Sequence, residues 1–136
     1  MPVMIFMHGN AGNKLEGEFA AGSVLPHGVN LFSFDFSGCG NSEGKWVTLG
    51  WKERDDLAAV VTYLVSLNTV SKIGVYGRSM GGACSLMYMA DHPDQISCAV
   101  IDSSFSEFNS IMDHLAKEQM GLPPALVDML AMGLKA

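Results

Sequence analysis

Basic residues are few in this chain of 136: Lys plus Arg number 8 against 14 Asp plus Glu, for a net charge of −6. A nucleic-acid-binding surface would be basic, so that class is disfavoured. Cysteine is also scarce. The three, Cys39, Cys84 and Cys98, are odd in number, and no pair has C-x-x-C spacing. Neither a disulfide framework nor a zinc site is expected, and the default is a reducing, cytoplasmic compartment. No apolar run approaches the roughly 20 residues that span a bilayer. The apolar start, Met1-Pro-Val-Met-Ile-Phe-Met7, lacks a basic flank and a cleavage site, so it reads as a strand and not a signal peptide. No G-x-G-x-x-G or G-x-x-x-x-G-K-[ST] is present, which argues against a nucleotide-binding domain. No metal or cofactor motif is found.

What is present is apolar material. The hydrophobic share is 49% and the charged share 16%, which excludes disorder, and the length fits one domain with its own core. The ten Met read as core filler.

Strand and helix patterns alternate. Pro2 to Met7 is the first apolar run, followed by His8-Gly-Asn-Ala-Gly12 and a modest helix from about Lys14 to Leu25. Val29 to Phe34 is the second strand, ending at Asp35, before a loop rich in turn formers, Ser37 to Gly44. Thr48 is placed as the N-cap of a long helix ending near Asn68, with Leu57, Val60, Val61 and Leu64 on one face. Lys72 to Tyr76 is the third strand. Gly77-Arg-Ser-Met-Gly-Gly82 then turns into a helix that His92-Pro93 ends. Ser97 to Ile101 is the fourth strand, ending at Asp102. Beyond it, Phe108, Ile111, Met112 and Leu115 make a helical stripe, with Gly121 as a C-cap, and Pro123-Pro124 opens a last short helix. Such alternation predicts an α/β fold, a parallel sheet flanked by helices on both faces.

Gly77-Arg78-Ser79-Met80-Gly81 fits G-x-S-x-G, and it follows a strand and opens a helix. That is the context of a nucleophile elbow. Ser79 is the candidate nucleophile. Gly77 and Gly81 permit close backbone approach. The Met80 N–H at the helix start is a candidate oxyanion donor. The His8-Gly9-Asn10 turn follows the first strand, where a second donor is expected, and Asn10 N–H is the candidate. His8 is expected to fix the loop and not to act as the base.

These residues resemble the α/β-hydrolase superfamily, in its serine aminopeptidase-like or acyl-hydrolase-like branch. The likeness rests on His8-Gly-Asn-Ala-Gly12, Asp35-Phe-Ser-Gly-Cys-Gly-Asn-Ser42, the Thr48 to Tyr63 helix, Gly77-Arg-Ser-Met-Gly-Gly82 and Ile101-Asp-Ser-Ser-Phe105. It implies a strand order of second, first, third, fourth, with both motifs at the carboxyl ends of the central strands. It implies a serine hydrolase acting on a small-molecule ester, thioester or amide. It also implies that the chain is the middle of such a domain: a core of about 1–105, with cap or lid helices beginning at about 106–136. Two strands would precede Met1, and the usual acid and His would follow residue 136.

Other polar residues have plainer readings. Asp102 is read as a loop cap, with a catalytic acid role as the alternative. His92 ends the helix that Ser79 opens, too far away to serve as base. His114 is read as surface or cap packing, and His27 as a turn residue. Asp35 is read as loop support. Arg78 is read as half of a structural ion pair, with a substrate contact as the alternative. A catalytically inactive binding module is the alternative function, because a Ser without a base is a poor nucleophile.

Overall fold

A computed structural model describes residues 1–107 and, beyond them, residues 110, 121, 123 and 125. The stripe through Phe108 to Leu115, His114 and the helix after Pro123-Pro124 lie outside the described residues. The chain divides into two units, Met1–Ser104 and Phe105–Ala136.

The first unit is a parallel sheet with helices. Its strands are β1 (Pro2–Met7), β2 (Asn30–Ser33), β3 (Lys72–Arg78) and β4 (Cys98–Asp102). They lie in the order β2-β1-β3-β4, all parallel, with Phe6 opposite Ser33 on one side and Tyr76 on the other. Its helices are α1 (Glu18–Val24), α2 (Glu53–Ser66) and α3 (Met80–Asp91).

Alternation along the strands sorts the two faces. Val3, Ile5 and Met7 of β1 and Ile73 and Val75 of β3 pack in one cluster with Leu57, Val61 and Leu64 of α2 and Met80, Cys84 and Tyr88 of α3. Phe6 and Tyr76 belong to the opposite face, where their rings lie 5.3 Å apart. Gly17, at the start of α1, lies against Ser33 and Phe6 there. Burying a side chain of the size of Ile5 or Leu57 contributes on the order of 2 kcal/mol, so this core is the main source of stability.

Several boundaries differ from those the sequence suggests. The segment at Lys14 to Leu25 is not one helix. A 3-10 turn over Lys14–Gly17, α1 and a second 3-10 turn over Leu25–His27 share it. Gly17 and Gly22 weaken a continuous helix there. The second strand is trimmed to Asn30–Ser33, the third runs on to Arg78, and the fourth starts one residue later. Thr48 does not cap α2, which begins five residues later at Glu53. Instead Thr48 closes a turn: its hydroxyl accepts the Lys52 N–H at 2.7 Å and donates to Glu53 at 2.7 Å. The fourth strand is apolar yet exposed at Cys98, Ala99 and Val100, because it stands at the end of the sheet. No helix among the described residues is long and apolar enough to cross a membrane.

Candidate active site

Two turns meet at the carboxyl ends of β1 and β3. The first is the strand-to-helix turn at Ser79. Its backbone has φ 50° and ψ −109°, a region that costs a non-glycine residue about 1–3 kcal/mol. Neighbouring contacts hold it there. The Ser79 N–H donates to the Asp102 carbonyl at 2.8 Å, and the Ser79 carbonyl accepts the Ala83 N–H at 3.1 Å. A Cβ on Gly77 would lie 2.4 Å from the Gly81 carbonyl oxygen, and one on Gly81 would lie 2.3 Å from that of Met7. Both positions therefore exclude any side chain, and the close approach folds α3 back onto β1. Met80 is the first residue of α3, so its N–H has no acceptor within the helix.

The second turn is His8 to Gly12. Gly9 lies against Ser79: a Cβ built on it would sit 3.6 Å from the Ser79 Cβ. The Gly12 N–H returns to the Gly9 carbonyl at 3.1 Å, and Ala11 takes φ 58° to complete the turn. Among the described residues, the Asn10 N–H meets no acceptor. His8 is fully buried. Its Nε2 accepts the Phe36 N–H at 3.1 Å, and its Nδ1 lies 2.7 Å from the Gly9 carbonyl. The Phe36 N–H can only donate, so the ring proton sits on Nδ1 and donates to Gly9. Both nitrogens are thus engaged, and neither is free to take a proton from Ser79.

Asp35 holds the far end of the same turn. Its side chain is 3% exposed and pairs with the Lys14 ammonium at 2.6 Å. It also accepts the Lys14 N–H at 2.7 Å and the Asn41 N–H at 3.0 Å. The Lys14 ammonium bond, joined by those two amides and opposed by burial, lowers its pKa from 3.8 to about 2. The folded value is below the unfolded one, so the stabilisation is present above pH 3.8 and is lost as pH falls toward 2. Asp35→Asn is therefore expected to unfold at lower urea than the parent at pH 7, by about 2–3 kcal/mol. That gap should close between pH 4 and pH 2, roughly. A gap independent of pH would contradict the assignment.

Arg78 pairs with Glu16 at 3.0 Å. Its side chain is 57% exposed, and such a pair contributes little. The Asp102 carboxylate accepts the Ser103 hydroxyl at 2.7 Å. His92 follows α3, a helix of 12 residues and hence about 18 Å long. His27 ends the 3-10 turn that precedes β2, at the opposite end of the sheet. No described His is placed to serve Ser79.

Burial raises the Cys84 thiol far above its ordinary range, and burial, with the charges of Glu53 and Asp35, raises Cys39. A cleft of about 420 Å³ opens on the Phe6/Tyr76 face, lined by Phe6, Glu16, Phe19, Tyr76, Arg78 and Asp102. Ser79 and Asn10 are not among these lining residues.

Sequence reasoning overlooked Lys14, Glu16 and Glu53, the polar partners that tie these loops together. Their only local signal is position: Glu53 sits in the first turn of a helix, where acidic residues are favoured.

Comparison with known proteins agrees with this fold. The YqkD protein of Bacillus subtilis is 30% identical over 122 residues, covering 88% of this chain and 40% of its own. The Pyrococcus furiosus esterase Pf2001 superposes with a TM-score of 0.79 at 28% identity, over 95% of this chain and 53% of its own. Est1E of Butyrivibrio proteoclasticus, solved with ferulic acid, superposes at 0.72 with 28% identity, over 92% of this chain and 51% of its own. The chain thus spans about 40% of the length of the curated relatives it matches. A family model described as the alpha/beta hydrolase fold matches residues 2–131, and the chain belongs to that family.

Proposed function

We propose that this chain carries the nucleophile and oxyanion-hole portion of a serine hydrolase acting on small carboxylic esters. The observation that carries the proposal is Ser79 itself, held at a strained strand-to-helix turn with Gly9 against it. In this scheme the Ser79 hydroxyl oxygen attacks the ester carbonyl carbon, and its proton passes to a general base. The carbonyl oxygen becomes an oxyanion that accepts the Met80 and Asn10 N–H groups. Collapse breaks the bond to the leaving alcohol, which takes the proton, and leaves an acyl-serine. Water then attacks the acyl-serine, releasing the acid and restoring the hydroxyl.

The base and its orienting acid are assigned to residues outside those the structure describes. The same acyl chemistry extends to thioesters and amides. The esterase neighbours favour esters over a peptidase specificity. A cytoplasmic setting accords with the unpaired cysteines.

The test is turnover of p-nitrophenyl acyl esters by the protein purified at its natural length. Ser79→Ala is expected to lower kcat by at least about 10³-fold with the fold retained. Turnover that survives in Ser79→Ala overturns the assignment. Absence of any turnover, with Ser79 inert, favours the alternative of a binding module. That alternative draws on one observation, that no described His is placed to serve Ser79.

A further inference from the structure

We propose that the cleft on the Phe6/Tyr76 face is a binding site for a small organic cation, an ammonium group carried on an apolar body. Its walls follow from the chain. Gly17 lies so close to β2 that a Cβ on it would meet the Ser33 hydroxyl at 2.7 Å. That approach brings the start of α1 down on the sheet, and Phe19, two residues on, lines the cleft. Phe6 and Tyr76 stand opposite one another in the β1–β3 register, with ring centroids 5.3 Å apart. Three aromatic rings thus line a cavity of about 420 Å³, the size of a small-molecule site. Phe19 is 76% exposed, so its ring is available to an occupant.

Charge selects that occupant. The other lining residues are Glu16, Arg78 and Asp102, two carboxylates and one guanidinium. Arg78 bonds Glu16 at 3.0 Å and stands opposite Asp102 in the β3–β4 register. An anion entering to reach Arg78 would therefore meet both carboxylates. A neutral apolar ligand would desolvate Glu16 and Asp102 with nothing in return. A cation meets the carboxylate in excess, and the negative faces of aromatic rings attract it. One Asp102 oxygen takes the Ser103 hydroxyl at 2.7 Å, and the other has no hydrogen-bond donor among the described residues. The cleft also adjoins the nucleophile turn. Arg78 precedes Ser79, and the Asp102 carbonyl accepts the Ser79 N–H at 2.8 Å. The ammonium group belongs either to the ester substrate or to a separate ligand, and that choice alone rests on the serine-hydrolase function above.

The probe is benzyltrimethylammonium, titrated calorimetrically into the natural-length protein, with benzyl alcohol and benzoate as neutral and anionic controls. Saturable binding of the cation is expected, at least about 10-fold tighter than either control. Asp102→Asn keeps an oxygen for the Ser103 hydroxyl and is expected to weaken the cation by about 10-fold. Phe19→Ala, at an exposed position, is expected to weaken it by about 3–10-fold. Benzoate that binds as tightly as the cation overturns the proposal, as does a folded Asp102→Asn protein with parental affinity. Absence of binding to the folded natural-length protein also overturns it, and would mean that another part of the protein fills the cleft. Where Ser79-dependent turnover is present, competitive inhibition by the bound cation assigns the group to the substrate. A changed rate at saturating ester assigns it to a separate ligand. A protein without such turnover overturns the serine-hydrolase function and leaves the binding result standing.

Discussion

Gly81→Ala is expected to lose about 3–5 kcal/mol of stability, a large part of the 5–15 typical of a domain. The new methyl would sit 2.3 Å from the Met7 carbonyl oxygen and 2.8 Å from its carbon. Neither atom is the end of a flexible side chain. Both are backbone of the central strand β1, held in register with β2 and β3. Relief requires α3 to move off β1, and α3 carries Met80, Cys84 and Tyr88 into the core. The same movement displaces the Met80 N–H, so activity falls with stability. Urea unfolding at neutral pH measures the first effect, with an expected midpoint shift of roughly 1–3 M. Gly22→Ala serves as the contrast. Gly22 lies within α1 with nothing within 4 Å of its would-be Cβ, so it should gain about 0.5–1 kcal/mol. A Gly81→Ala protein that unfolds with the parent would mean that α3 does not approach β1 as described.

Glu53→Ala has the second large effect, at about 3–5 kcal/mol. Glu53 is a carboxylate with only 2% of its surface exposed. It accepts the Thr48 N–H at 2.8 Å, the Thr48 hydroxyl at 2.7 Å and the Gly50 N–H at 2.8 Å. Removing it strands all three donors. Glu53→Gln should fall between Ala and the parent, since its amide oxygen keeps an acceptor while its NH₂ faces donors. Burial pushes this carboxyl upward, but the Thr48 and Gly50 donors together outweigh burial and hold it below its ordinary 4.5. A folded value below the unfolded one means the contribution is complete above 4.5 and fades as pH falls through the lower folded value. Loss of helical ellipticity in a urea titration measures the shift. Equal midpoints for Glu53→Ala and the parent would contradict the role given to this carboxylate.

The sheet was legible because its strands are short apolar runs and its two chemical motifs stand at strand ends. Gly77 to Gly81 could be placed on a strand-to-helix turn from five residues, since the neighbouring periodicities change there. The expected order of the four strands is the observed one. What local patterns do not carry is contact between distant segments. The Asp35 ion pair joins residues 21 apart, and the Phe36 N–H reaches His8 across 28. Thr48 illustrates the same limit at short range. A Thr ahead of an apolar helical stripe reads as an N-cap. The buried Glu53 instead draws Thr48 into a turn of its own, and α2 starts only after it. The exposure of β4 likewise depends on its place at the end of the sheet, which its apolar composition does not reveal.

The central claim is that Ser79 is a nucleophile, and covalent capture tests it most directly. The natural-length protein would be treated with a fluorophosphonate, digested, and its peptides mapped by mass spectrometry. The expected result is a single phosphonyl adduct on Ser79, absent from Ser79→Ala and suppressed by an ester substrate. An unmodified Ser79, under conditions where a known serine hydrolase in the same tube is fully labelled, would contradict it.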